Sequence, residues 1–287
     1  MPAAKVVIFT ADDFGASVEA NAGVVRAWRE GVLRGASLMV TAPARDEAAA
    51  AAREFPGLDV GLHLVVCRGQ SALRSDRLNG LVDSHGRFIE NPVLGGIRYF
   101  FKPRLRSLLA DECRAQIELH LKLVGYLNHI DGHLNFHVHP TLADILVDLA
   151  WEYRVPFIRL PREPVLTTLG LARDRAGGKL LEAVIFRALS ARTRARMRER
   201  GIKSSDWLFG LHQSGNMSER YMLGVISRLR GGLTEIYFHP AADVGGTPPS
   251  PSSQREVEIL TSPLLPVALA GAQARVTNFG ELARATR

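Results

Sequence analysis

Two adjacent carboxylates, Asp12 and Asp13, follow directly on the apolar run at 6–9 in the stretch FTADDFGAS. A buried strand gains nothing by ending on two charges unless a ligand or a proton needs them. Three further stretches carry side chains able to bind a metal or move a proton. His63 lies in DVGLHLVV; His129, Asp131, His133, His137 and His139 crowd NHIDGHLNFHVHP; His239 closes the run EIYFHP. One carboxylate and two imidazoles make a three-point protein site for a divalent ion and leave positions open to water and substrate. A second carboxylate alongside could take the proton from that water. Neighbouring residues of an extended strand face opposite sides. Asp12 and Asp13 can therefore serve one site only where the strand ends and the chain turns, as one ligand and one base.

The elements that must carry these residues are short and alternate almost from end to end. Runs at 6–10, 36–41, 59–65, 129–133, 157–160, 206–211, 235–238 and 275–277 read as strands. Segments 16–30, 45–54, 111–127, 142–153, 180–198, 218–229 and 255–260 have helical periodicity. Strands interleaved with helices predict a parallel α/β sheet, either a closed barrel or an open doubly wound sheet. The His and Asp residues fall at the C-terminal ends of four separate strands, the face where both architectures bind ligands. If the fourth strand continued, period two would put His133, Asn135, His137 and His139 on one face. Same-face residues stand about 6.6 Å apart, so one small ion takes a single ligand from this run. His137 and His139 then support the structure, and Asp131 is placed to orient an imidazole. Plainer roles exist for single residues: Asp13 or Ser17 could cap the first helix, and a lone His63 could be a hydrogen-bonded core residue.

Composition narrows the class. A chain of 287 residues with 46% hydrophobic and 23% charged residues reads as an ordinary soluble globular protein. No stretch approaches the roughly 18 apolar residues of a membrane span, and the N-terminal apolar run is too short for a secretion signal. These features point to a cytoplasmic location. Cys67 and Cys113 belong to no CxxC pattern, which argues against a disulfide scaffold or thiolate zinc site. The net charge of +7 is concentrated in 173–203, where ten basic residues meet three acids. A patch so local suggests an anionic surface or partner for that segment, not a nucleic-acid-coating protein. Leu180, Leu181, Val184, Ile185, Ala188 and Leu189 form a helical apolar stripe beside it. Such a helix suits peripheral docking at an anionic bilayer, or simply packs on the barrel. There is no internal repeat. GGTPPSPSS at 245–253 reads as a surface loop and 70–103 as an irregular rim insertion. The expected organisation is one domain over 1–287, with insertions near 70–103 and 162–205.

TADDFG, GLHL, HIDGH and EIYFHP, in this order, resemble the YdjC-like carbohydrate deacetylases (the ChbG family) over about residues 5 to 280. The resemblance implies a metal-dependent enzyme on a distorted (β/α) barrel related to polysaccharide deacetylases. It implies Asp13, His63 and His133 as ligands of one divalent ion, Asp12 as general base and His239 as general acid near an N-acetylated sugar. The family commonly carries histidine where this chain has Asn135, which puts the substrate-side role of that position in question. GHLNFHVHP and the basic insertion look most like the branch associated with hopanoid biosynthesis, thought to deacetylate an N-acetylglucosaminyl hopanoid lipid. His212 in GLHQSGN and Arg159 are weaker candidates for sugar contacts. The ligand set suits Zn2+, Mg2+, Co2+ or Mn2+ alike, and the roles of Asp12 and His239 could be exchanged. Two other classes share these features. Two histidines and a carboxylate also form the facial triad of non-haem iron oxygenases, though on an antiparallel β scaffold. A non-catalytic sugar- or lipid-binding protein would not need the second carboxylate.

Overall fold

The computed structural model describes residues 3–285. Its strands are β1 (Lys5–Phe14), β2 (Gly35–Leu38), β3 (Asp59–Leu64), β4 (His129–Gly132), β5 (Phe157–Ile158), β6 (Trp207–Phe209), β7 (Gly232–Phe238) and β8 (Ala274–Val276). All pair in parallel, in the order β5-β4-β3-β2-β1-β7-β6, with β8 added against β1. The sheet curls until its outer strands meet. The Ile158 N–H donates to the Lys203 carbonyl at 3.0 Å, and the Lys203 N–H donates to the Pro156 carbonyl at 2.8 Å, just ahead of β6. Of the two architectures the sequence allowed, the chain adopts the barrel.

Helices cover the outside and side chains fill the inside, so the strands are buried on both faces and read as continuous apolar runs. Val7, Ile8, Phe9 and Ala11 of β1 are all buried. This strand changes neighbours along its length. Lys5, Val6 and Val7 pair with β8, whereas Thr10 and Ala11 pair with Gly35 and Ala36 of β2. Between Ala11 and Phe14 the register against β2 slips, as at a β-bulge. The two aspartates sit in that slip.

The helix Val18–Glu30 begins at Ser17, whose Oγ accepts the Ala20 N–H at 3.2 Å. Capping thus falls to Ser17 and leaves Asp13 for other work. Three expectations need correction. The supposedly irregular stretch 70–103 contains the helix Pro92–Phe101, capped by Asn91, whose Oδ1 accepts the Val93 and Leu94 N–H groups. Its two glycines and nearly uniform apolar character hid the helical period. The loop at 245–253 gives up its last three residues to the helix Pro251–Leu260, capped by Ser250. The fourth strand stops at Gly132, and 133–138 forms a tight helical turn with Leu134 and Asn135 at left-handed φ of 55° and 56°. The period-two face from His133 to His139 therefore does not exist. Among the described residues, no helix is long and apolar enough to cross a membrane.

Candidate metal centre and catalytic residues

The bulge in β1 gives the aspartates different directions. Asp13 adopts a left-handed φ of 60°, a conformation that short polar side chains tolerate better than most. Its side chain stays 27% exposed, whereas that of Asp12 is buried at 4%. Gly15, at φ +91°, completes the turn; a Cβ there would stand 3.0 Å from Leu38 Cδ1 and 3.2 Å from Arg45 Cα. Asn21 fixes the turn from below, accepting the Gly15 N–H at 2.8 Å and donating to the Ala44 carbonyl at 3.0 Å.

Asp13 Oδ1 lies 3.2 Å from His63 Nε2, at the end of β3, and 3.1 Å from His133 Nδ1, just after β4. The three donor atoms fall within 4.8 Å of one another. Asp131 Oδ1 takes the other nitrogen of His63, Nδ1, at 2.7 Å, and so holds the imidazole with Nε2 turned toward Asp13. Burial disfavours the His63 cation, yet the carboxylates Asp131 and Asp13 outweigh it and push the pKa up to about 10. Burial likewise opposes the Asp13 anion, but hydrogen bonds from His133 and His63 hold its carboxyl well below the usual range. A divalent ion among these atoms would take the place of the shared proton. The donor set, one carboxylate and two imidazoles with one ring oriented from behind, fits such an ion. Asp12, His63 and Asp131 form a second close group, but both of its carboxylates already face a guanidinium.

That guanidinium is Arg159, which follows β5. Its Nη1 and Nη2 reach the two oxygens of Asp12 at 2.6 and 2.8 Å, and Nη2 also lies 2.8 Å from Asp131 Oδ2. Nε donates to Glu235 Oε1 at 2.8 Å, and the group stacks over the Tyr237 ring at 4.6 Å. Its side chain is 1% exposed, so Arg159 is no sugar contact. It braces the two aspartates from inside the barrel. Burial pushes the Glu235 carboxyl above its ordinary value while Arg159 pulls it down. Ser37 on β2 completes the frame, its Oγ 3.4 Å from Asp12 Oδ1 and 3.1 Å from His63 Nδ1.

The remaining candidates fall into distinct places. His137 is buried beneath the site with Nε2 3.0 Å from the Arg159 carbonyl; burial holds its pKa down to about 4, so the neutral ring donates to that oxygen. Burial raises the Tyr237 pKa, and Asn135, near its hydroxyl, lowers it. His239 follows β7 and contributes to the field that lowers the Asp13 pKa. Its backbone N–H donates to Glu256, a buried carboxylate of the helix Pro251–Leu260. The His239 loop also presses against Gly23, where a Cβ would come within 2.6 Å of Ala241 Cα. His212 is displaced from the site: its ring contacts Glu182 through Nδ1 at 3.2 Å and lines a different cavity. The cleft at the triad measures about 320 Å³ and is walled by Asp13, His133, Met39, Thr41, Arg68 and Gln70.

A family model described as YdjC-like protein matches residues 6–270. The chain belongs to the YdjC-like family. Among curated relatives, it is 37% identical over 174 residues to a carbohydrate deacetylase of Vibrio cholerae serotype O1 (strain M66-2), covering 60% of this chain and 62% of that protein. The match therefore spans under two thirds of the Vibrio protein's length. A carbohydrate deacetylase of Thermoanaerobacter pseudethanolicus is 26% identical over 242 residues, 83% of this chain and 81% of that one. A crystal structure from Enterococcus faecalis V583 shares the YdjC-like chain's fold with a TM-score of 0.75 at 23% identity, covering 97% of this chain and 99% of that one.

Ser37, Glu235, Glu256 and Asn21 join the site only through the fold. Glu235 alone left a sequence signal, a charge within the apolar run TEIYF. Ser37 and Asn21 are small polar residues whose importance depends wholly on what the fold sets beside them.

Proposed function

We propose that this protein is a metal-dependent carbohydrate N-deacetylase that hydrolyses the acetamide of an N-acetylated amino sugar. The observation that carries the reading is the pairing of two aspartates with different surroundings: Asp13 faces His63 and His133, while Asp12 is forked by Arg159. Asp13, His63 and His133 would hold the ion, which when bound polarises an amide carbonyl and makes water a better nucleophile. Asp12 accepts the proton of the attacking water. Arg159 keeps that carboxylate in one orientation and matches its charge, which suits an acceptor better than a donor. His239, on the loop after β7 and near enough to lower the Asp13 pKa, donates a proton to the departing amine. The Asp131–His63 pair holds the ligand ring, and Glu256 holds the loop of His239 through its backbone.

The decisive experiment measures acetate released from N-acetylglucosamine on soluble and lipid acceptors, with and without divalent ion, beside the Asp12→Asn protein. Metal-dependent release that disappears in the variant supports the reading. Folded protein that releases no acetate from any acceptor with any ion would falsify it.

The finer reading, a lipid-linked sugar such as a glycosylated hopanoid met by peripheral membrane contact, is favoured by two exposed apolar helix surfaces. Leu180, Leu181, Val184 and Ile185 project from the helix Ala176–Glu199. On the helix Pro92–Phe101, Val93, Leu94, Ile97, Phe100 and Phe101 are exposed, the last at 72%. Arg98, Lys102, Arg104 and Arg106 flank them, with no acid between Glu90 and Asp111. Gly96 of this helix accepts from His139 Nε2 at 3.0 Å, which ties it to the turn bearing His133. Aromatic groups with basic flanks suit the interface of an anionic bilayer. Loss of vesicle binding in Phe100→Ser/Phe101→Ser protein, with turnover of soluble substrate retained, would support this contact; unchanged vesicle binding would remove it.

A further inference from the structure

The arginines of the helix Ala176–Glu199 fall on two faces. Arg192 and Arg196, with Arg200 just beyond the helix, ion-pair with Asp144 and Asp148 at 2.9–3.2 Å. That face is ion-paired and joins the helix Pro140–Glu152. Arg187, Arg194 and Arg198 lie on the adjoining face. With Arg162, Arg230 and Trp207 they line a groove of about 720 Å³.

None of these five guanidiniums has a carboxylate within 4.0 Å among the described residues. The acid in the lining, Glu163, is already used, accepting from Thr168, from the Tyr221 hydroxyl at 3.3 Å and from the His212 N–H at 3.0 Å. Arg162 is pushed below its ordinary pKa by burial and by the charges of Arg194 and Arg187, so like charges face one another here. A second observation is independent of them. The His212 ring, fully buried in the groove lining, is held by Glu182 through Nδ1, and its Nε2 has no hydrogen-bond partner among the described residues. Gathering like charges opposes folding unless an anion is there to be bound.

We propose that this groove binds a phosphate-bearing ligand, with Arg162, Arg187, Arg194, Arg198 and Arg230 supplying the guanidiniums that hold the phosphate. The guanidinium fork matches phosphate oxygens in pairs, and a phosphate ester brings about 1.5 to 2 negative charges, more than a carboxylate. Leu166, exposed on the groove wall, would meet the apolar part of such a ligand. The source of the phosphate is a soluble diphosphate or the headgroup of an anionic phospholipid. The groove shares no lining residue with the Asp13–His133 cleft, and the inference does not rest on the deacetylase reading.

The test compares wild type with R187Q/R194Q/R198Q and with the charge-matched control R26Q/R74Q/R87Q. Pyrophosphate binding is read by calorimetry at physiological salt. Vesicle binding is read by co-sedimentation with phosphatidylcholine, with and without phosphatidic acid. The groove variant should bind about tenfold or more weakly, with the control unchanged. Any ion held at the aspartate–histidine cluster is common to all three proteins and cannot produce that difference. Pyrophosphate binding assigns a soluble ligand; binding only to vesicles carrying phosphatidic acid assigns a headgroup. Wild type that binds neither probe, or equal losses in both variants, would overturn the proposal. Should the triple variant misfold, Arg230→Gln, outside the helix Ala176–Glu199, carries the same comparison.

Discussion

Arg159 serves Asp12, Asp131 and Glu235 at once, from a position sealed off from solvent. Its worth lies in planar geometry, which a point charge lacks. Arg159→Lys should keep the fold yet lower kcat for deacetylation by about 100-fold, with KM little changed, because Asp12 loses its forked support. Full activity in that variant would remove Arg159 from the proposed machinery. Asp12→Asn should cost about 10²- to 10⁴-fold in kcat while leaving divalent-ion affinity within a few fold, as read by calorimetry. An Asp12→Asn protein that lost the ion altogether would make Asp12 a ligand instead of a base. That Asp13, His63 and His133 could meet was legible because metal-competent side chains recur on separate strand segments, at FTADDFG, GLHL and HIDGH. The role of Arg159 was not. In strands buried on both faces no alternation separates the barrel interior from its outside, so FIRL reads equally as a charge turned toward substrate or toward the core.

Among the elements, β1 and its turn do most of the positioning. A side chain at residue 15 would meet both Leu38 and Arg45 in a left-handed conformation. Gly15→Ala should therefore destabilise the protein by about 1–3 kcal/mol and lower ion affinity, because the same turn aims Asp13. Urea denaturation and calorimetry together check this; stability and affinity both unchanged would mean that the turn yields freely. The eight strands and the principal helices were readable from apolar runs and periodicity. The segment after β4 was not, since HLNFHVH alternates like a strand while Leu134 and Asn135 turn the chain left-handed. That break swings His133 toward Asp13 and leaves His137 beneath the site. Local alternation had no way to disclose a tertiary demand of this kind.

At the scale of the whole molecule, burial sets how the protein responds to acid. His120, sealed in the helix Leu105–Val124 with Nε2 3.1 Å from the Tyr126 carbonyl, has its pKa held down to about 4 by burial and by the nearby His129. The unfolded chain takes up that proton near pH 6.5 and the folded one does not. The contribution is therefore fully present above pH 6.5 and declines as pH falls toward 4, by roughly 3 kcal/mol in all. Histidine ring resonances followed by NMR should show His120 silent from pH 8 to 5; titration near 6.5 would contradict the prediction. The alternation of strand and helix predicted a parallel sheet, and the pairing of Phe157 with Lys203 determines that it closes. No residue type marks that closure, because backbone groups make it.

The shared pairing of β1 also bears on synthesis. The lower half of the first strand, Lys5 to Val7, is flanked by β7 and β8, the last two strands to be made. At typical translation speeds a nascent chain carries this apolar edge uncovered for on the order of tens of seconds. An unpaired strand edge is a template for joining other chains. A ribosome stalled before residue 232 would display it indefinitely, so this barrel enters an aggregation-prone state early and leaves it only when translation is nearly done.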